Sequence, residues 1–140
     1  MDTIIHVDGV SKQFGKVRAV HDLYLDVTAG DVVGFIGPNG AGKTTTIRML
    51  SAVLRPDGGR ISVNGFDPVT QGDDVRSSIG VMTEGAGLYA NLSGIDNLKF
   101  FAELHGVDDP ARPASLMESM RLGEAARRRA GTYSTGMRKR

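Results

Sequence analysis

Several features that define common functional classes are missing from this sequence. It contains no cysteine, which excludes disulfide bonds and thiolate metal sites and fits a reducing compartment. Its 17 basic and 16 acidic residues leave a net charge of only +1. The chain therefore has no large electrostatic field of one sign, which would have indicated nucleic acid as the main partner.

Long apolar segments are missing as well. No stretch approaches the ~20 consecutive apolar residues of a membrane-spanning helix. The longest apolar run, residues 32–36, has the length of a buried strand. The N-terminus does not show a basic region followed by an apolar one, so no secretory signal is predicted. We expect a cytoplasmic chain, with any membrane span supplied by another polypeptide.

Glycine, in contrast, is abundant. The 140 residues include 19 glycines, whereas average usage is near 7%. Hydrophobic residues make up 40% of the chain and charged residues 24%, which is typical of a soluble globular protein. The length fits one domain with a modest core.

The hydrophobic pattern changes character along the chain. In the first part, short apolar or alternating runs predict strands, and turns are expected at Gly15-Lys16 and Asn64-Gly65. From Ser93, which with Asp96 resembles a capping box, the spacing is helical. The strands are predicted over residues 4–7, 19–25, 31–36, 60–63 and 79–82. The helices are predicted over residues 44–54, 93–106, 110–120 and 123–129. We expect a subdomain boundary near Leu88.

One segment fits the pattern G-x-x-x-x-G-K-[ST] at every position. Such a loop lets successive backbone N–H groups converge on an anion, and the following helix directs its positive end to the same point. Lys43 adds a charge for the outer phosphates, and the Thr44 hydroxyl can ligate Mg²⁺. A glycine-rich turn without a ligand is the alternative. The segment consists of Gly37, Pro38, Asn39, Gly40, Ala41, Gly42, Lys43 and Thr44.

The loop continues into Thr45 and Thr46, and its full sequence resembles the ATP-binding cassette (ABC) family, a resemblance that extends from about Ile4 to Arg140. It implies an α/β fold of the P-loop NTPase type. An antiparallel β subdomain and nucleotide-binding core would occupy residues 1–88, and a helical subdomain residues 89–140. The cofactors implied are ATP and Mg²⁺, with Thr45 among the nucleotide contacts.

Two further segments resemble motifs of that family. Phe14, in the run 12–16, matches the aromatic residue that stacks on adenine, although the ring could instead pack within the β subdomain. Residues 133–137, Tyr-Ser-Thr-Gly-Met, resemble the signature motif that contacts ATP held by the opposite subunit of a dimer. Ser134 would donate a hydrogen bond there, and Gly136 would permit close backbone approach.

Glu84 is a departure from the family, which usually has glutamine at this position. A carboxylate can hold Mg²⁺ but cannot donate a hydrogen bond when ionised. We expect Glu84 to act in catalysis with Lys43 and to share the metal with Thr44. A solvated loop carboxylate is the alternative.

The three histidines share no metal-ligand spacing, and the basic runs 127–129 and 138–140 are read as solvated surfaces.

The resemblance implies partners and a location. Segments 85–89 and 91–94 resemble drug-efflux exporters, whose permease is a separate polypeptide. A second ATP-binding subunit would complete a head-to-tail dimer at the inner face of the cell membrane, without nucleic acid. The alternatives are a soluble ABC-type ATPase acting on ribosomes or nucleic acid, and a non-hydrolysing ATP-binding module.

The family's general base lies on an apolar strand that ends in Asp-Glu, downstream of the signature. No such strand occurs in these 140 residues. The sequence is therefore read as truncated before that strand, the Walker B strand of the family. We expect negligible ATP hydrolysis by these residues alone, because hydrolysis needs a positioned base and a fully held metal.

Overall fold

The fold is described from a computed structural model, which defines residues 2–82 and 87–140. The chain divides into two compact units, Met1–Val81 and Met82–Arg140. The boundary predicted near Leu88 lies slightly later in the chain than this division. The assignment of nucleotide binding to residues 1–88 and of the signature motif to residues 89–140 stays a prediction.

The first unit contains a three-stranded antiparallel sheet with strand order β2-β1-β3. The two strands predicted on either side of the Gly15-Lys16 turn form a hairpin, and they are longer than the sequence pattern indicated. Its turn lies at Gly15, which takes a positive φ of 57°. A second turn follows β3, where Asn64 and Gly65 have φ values of 51° and 83°, as expected of an Asn-Gly turn. The strands are β1 (Thr3–Phe14), β2 (Val17–Thr28) and β3 (Gly58–Val63).

Two helices complete the first unit, α1 (Lys43–Leu50) and α2 (Gly72–Ser78). Helix α1 ends before the predicted Leu54. The Ser51 hydroxyl donates to the carbonyl of Ile47 at 2.9 Å, and Ala52 adopts a left-handed φ of 56°. The buried core joins one face of the sheet to both helices and comprises Val7, Val10, Val20, Met49, Leu50, Ile61, Val63 and Val75.

The strands predicted over residues 31–36 and 79–82 are wrong. Neither segment forms a strand, and the Val32 and Ile36 side chains are 99% and 98% exposed. A strand exists only where a neighbour accepts and donates its ladder hydrogen bonds. Within residues 2–82 and 87–140 no segment pairs with either one. Their apolar composition predicts burial but does not supply the hydrogen-bonding partner.

The second unit is helical. Half of the predicted capping box forms at the start of helix α3, because the Ser93 side chain accepts the backbone N–H of Asp96. The Asp96 carboxylate accepts the Ser93 hydroxyl instead of the Ser93 N–H. Its core consists of Met117, Leu122, Ala125 and Tyr133. The α-helices are α3 (Gly94–Leu104), α4 (Arg112–Ser119) and α5 (Thr135–Arg138), with short 3-10 turns at Gly123–Ala125 and Ala130–Thr132.

The helix predicted over residues 123–129 is also wrong, since only the 3-10 turn at its start forms. The carbonyls of Ala126 and Arg128 accept the N–H groups of Ile95 and Gly94, at 2.9 and 3.1 Å. These carbonyls therefore satisfy the first turn of α3 instead of extending a local helix. Helical spacing alone does not reveal this non-local use of the backbone.

Candidate functional site

The glycine loop at residues 37–44 leads into the first turn of α1. Gly40 and Gly42 have φ values of 89° and 84°, a backbone conformation that residues other than glycine rarely adopt. The Ala41 N–H donates to the Pro38 carbonyl at 3.2 Å and closes a turn within the loop. The loop is exposed up to Ala41, whereas Gly42 is buried.

A β-bulge in β2 supports the end of this loop. The register between β1 and β2 shifts between Lys12 and Gln13, and it leaves Ala19 as the extra residue of β2. A Cβ atom placed on Gly42 would overlap the Ala19 carbonyl oxygen. The loop end is therefore seated against the backbone of the hairpin, and only glycine fits there.

The N-terminus of α1 is open to an anion. Among the described residues, no acceptor is found for the backbone N–H groups of Lys43, Thr44 and Thr45. The first turn carries no acidic side chain, and Gly42 offers no side-chain cap. Unpaired N–H groups and the positive end of the helix dipole together favour a phosphate or carboxylate at this point.

The Lys43 side chain folds back over the loop. Its ammonium donates to the carbonyls of Gly37 at 2.6 Å and Pro38 at 2.7 Å. The positive charge is therefore held beside the same N–H groups that an anion would approach. Thr44 is exposed, so its hydroxyl is accessible to a metal or ligand.

Phe14 lies at the end of the same hairpin. It pairs with Val17, two residues before Ala19 in β2, which corresponds to about 7 Å along the strand. The ring is 49% exposed and does not belong to the buried core. The Lys12 ammonium lies 5.6 Å from its centroid. The structure thus presents a half-exposed aromatic ring close to the phosphate loop, and adenine stacking by this ring stays a prediction.

Ser134 and Gly136 lie in the second unit. Ser134 caps helix α5, and its side-chain oxygen accepts the N–H of Met137 at 3.2 Å. A Cβ atom on Gly136 would meet only the Ser134 oxygen, at 4.0 Å, so the surroundings of Gly136 are open. Tyr133 beside them is buried and donates to the Ala125 carbonyl at 2.7 Å. Burial raises the pKa of this phenol, which acts as a structural anchor.

Glu84, the expected metal ligand, lies outside the described residues. Within residues 2–82 and 87–140, no group of three or more His, Cys, Asp or Glu side chains has metal-binding geometry. The shared metal site of Thr44 and Glu84 therefore stays a prediction. In the described part of the chain, none of the helices has the length and apolar character needed to cross a bilayer.

Sequence reasoning missed one polar cluster beside Phe14. The Asp57 carboxylate accepts the Lys12 ammonium and the Gln13 N–H, each at 2.7 Å. Because Asp57 and Gln13 are 44 positions apart, no local pattern could have identified the pair. The available signal was the run Pro56-Asp57-Gly58, which places a carboxylate directly before β3.

The loop, the helix that follows it and the supporting hairpin define the chain as a P-loop protein of α/β class. Residues 20–140 match the protein family described as ABC transporter, and the chain belongs to that family.

Similar proteins include a daunorubicin resistance ATP-binding protein of Streptomyces coeruleorubidus. It is 44% identical over 99% of this chain and 45% of its own length. A doxorubicin resistance ATP-binding protein of Mycobacterium tuberculosis is 42% identical over 99% of this chain and 44% of its own length. The chain thus spans about half the length of these curated relatives.

Solved structures agree in fold. One described as the ATP binding subunit of an ABC transporter superposes with a TM-score of 0.83 at 26% identity, over 98% of this chain and 58% of the other. Another, cbiO1 of Clostridium perfringens, superposes with a TM-score of 0.82 at 21% identity over 99% of this chain and 59% of the other. At that identity the second match supports the fold alone.

Proposed function

We propose that this chain is the ATP-binding part of the energy-coupling subunit of an ABC exporter. The observation that carries the proposal is the open N-terminus of α1, where three N–H groups and the Lys43 ammonium converge on the glycine loop. Such an arrangement binds a polyphosphate through charge-assisted hydrogen bonds. Membership of the ABC transporter family supports ATP as the polyphosphate.

The proposal gives distinct roles to the glycines, Lys43 and Thr44 of the loop, and to two residues outside it. The glycines expose the backbone N–H groups to the phosphates, and Lys43 neutralises the outer phosphate oxygens. The Thr44 hydroxyl would hold Mg²⁺ together with Glu84, and Phe14 would stack on adenine. When bound, Mg²⁺ supplies neutralisation of the phosphate charge.

The same family membership supports a wider assembly. A second subunit would place its Ser134 and Gly136 against the terminal phosphate, so that ATP closes a head-to-tail dimer. A separately encoded permease would provide the membrane span and hold the chain at the inner membrane face. Relatives named for daunorubicin and doxorubicin resistance support export as the direction of transport.

We further propose that hydrolysis belongs to the intact dimeric domain. The 140 residues contain no apolar strand ending in paired acids that could supply the general base. Binding of the phosphates, in contrast, depends on groups that are all present in the loop. We therefore expect ATP binding by this chain with negligible turnover.

The test compares ATP with inorganic tripolyphosphate, both with Mg²⁺, by titration calorimetry. The parent chain should bind both ligands. Phe14→Ala should weaken ATP binding by about 1–2 kcal/mol, the scale of one lost stacking contact. Its affinity for tripolyphosphate should stay unchanged. Tyr24→Ala is the matched control, because Tyr24 is an exposed aromatic residue of the same hairpin. It should change neither affinity.

The two parts of the proposal fail in different ways. If the parent chain binds neither ligand, the phosphate site is wrong. If Phe14→Ala binds ATP as tightly as the parent, the phosphate site stands and the stacking role of Phe14 is wrong.

A further inference from the structure

Asp57 forms a clamp on the end of β1. Its two carboxylate oxygens accept from the Lys12 ammonium and the Gln13 N–H, each at 2.7 Å. Its own N–H donates to the Ser11 carbonyl at 2.9 Å. One residue therefore contacts three consecutive residues of the strand that ends at Phe14.

The clamp lies where the sheet itself stops. The β1–β3 ladder ends with the pair Ser11 and Gly58, so β3 does not accompany the last residues of β1. The Gln13 N–H that would continue the ladder donates instead to the Asp57 side chain. The carboxylate thus replaces a strand partner on the β3 side of β1, while the other side stays paired with β2 up to Phe14 and Val17.

The same carboxylate fixes a cation beside an aromatic ring. The Lys12 side chain is only 13% exposed, although it carries a charge, and its ammonium lies 5.6 Å from the Phe14 ring centroid. The hydrogen bond from Lys12, and then that from the Gln13 N–H, lowers the pKa of the Asp57 carboxyl. Since Phe14 is 49% exposed, ring surface remains that Lys12 does not cover.

We propose that Asp57 is a positioning residue for recognition of the nucleotide base. Through Lys12 it holds a positive charge on one face of the Phe14 ring and leaves the other face for an electron-rich purine. A cation on one face draws π-electron density toward itself and favours stacking of an electron-rich ring on the opposite face. This inference rests on the proposed function, because it requires Phe14 to be the stacking residue.

Two variants test the clamp. Asp57→Asn keeps the shape of the side chain and removes its charge, and Lys12→Met keeps an apolar stem and removes the ammonium. Each should weaken ATP binding by about two- to fivefold, the scale of one cation–π contact, and leave tripolyphosphate affinity unchanged. Asp74→Asn, an exposed carboxylate of α2, is the control and should change neither affinity.

A double variant separates positioning from general structural support. In a Phe14→Ala background, Asp57→Asn should produce no further loss of ATP affinity, because the ring through which it acts is gone. Equal weakening of ATP and tripolyphosphate by Asp57→Asn would overturn the inference, since it would indicate general damage to the fold. Unchanged ATP affinity in Asp57→Asn and Lys12→Met, with a loss in Phe14→Ala, would overturn it too and leave the proposed function standing. No loss of ATP affinity in Phe14→Ala would overturn this inference together with the stacking role of Phe14, and would leave the phosphate site standing.

Discussion

At the scale of single residues, the proposed function gives Lys43 a role in binding rather than in folding. Its ammonium donates to two neutral carbonyls of its own loop. A phosphate would offer anionic oxygens instead, which attract the ammonium by a full charge that a neutral carbonyl lacks. Replacing the two carbonyls by phosphate oxygens therefore favours the nucleotide-bound state. The loop loses little stability when the Lys43 ammonium leaves its carbonyls.

We predict that Lys43→Ala reduces ATP affinity by about 10- to 100-fold, as expected for the loss of charged hydrogen bonds. The free energy of unfolding should change by only about 1 kcal/mol, because two partly exposed hydrogen bonds to carbonyls are lost. Calorimetric titration measures the first quantity and denaturant titration the second. Lys99→Ala removes an exposed lysine of α3 and should leave both values unchanged. Parent-like ATP affinity in Lys43→Ala would place the nucleotide elsewhere.

Single residues also show which features could be predicted from the sequence and which could not. The glycine loop was predictable as a motif because it is encoded in eight adjacent positions. The predicted helix after it begins at Lys43, whereas the strand predicted before it does not form. The contact between Lys12 and Asp57 was not predictable, because the partners are 45 positions apart. Only the folded sheet brings this carboxylate to the end of β1.

At the scale of elements, local signals predicted local structure. The hairpin turn at Gly15, the Asn64-Gly65 turn and the Ser93 cap each depend on nearby residues, and each formed as expected. The segments 31–36, 79–82 and 123–129 did not form the predicted elements. The first two require a strand partner, and the third uses its carbonyls to cap α3. Apolar content and spacing do not specify such non-local hydrogen bonds.

The contact between the phosphate loop and β2 gives a prediction at this scale. Gly40 and Gly42 have nearly the same φ, but a Cβ atom on Gly42 would overlap the Ala19 carbonyl, whereas one on Gly40 meets nothing within 4 Å. Gly40→Ala should therefore lower the free energy of unfolding by about 1–2 kcal/mol, because of its backbone conformation alone. Gly42→Ala should cost clearly more, because the loop or the bulge must also move. If denaturant titration gave the same loss of stability for Gly40→Ala and Gly42→Ala, the contact with Ala19 would not hold the loop in place.

At the scale of the whole molecule, the two candidate parts of an ATP site belong to different units. The phosphate loop lies in the first unit, and Ser134 and Gly136 lie in the second. Each unit has its own buried core. In the proposed head-to-tail dimer, the first unit of one subunit and the second unit of the other share one ATP. Nucleotide contacts of the second unit should then depend on protein concentration, whereas those of the first should not.

Hydrogen exchange with a hydrolysis-resistant ATP analogue and Mg²⁺ tests this arrangement. At low protein concentration, the analogue should protect the amides of residues 40–46 and leave those of residues 133–138 unchanged, because a single subunit supplies only the phosphate loop. Protection of residues 133–138 should emerge as the concentration rises and the dimer forms. Gly136→Ala should keep the first effect and lose the second, since its Cβ has open space within the fold but would obstruct an approaching phosphate. Protection of residues 133–138 that is independent of concentration would contradict a site shared between subunits.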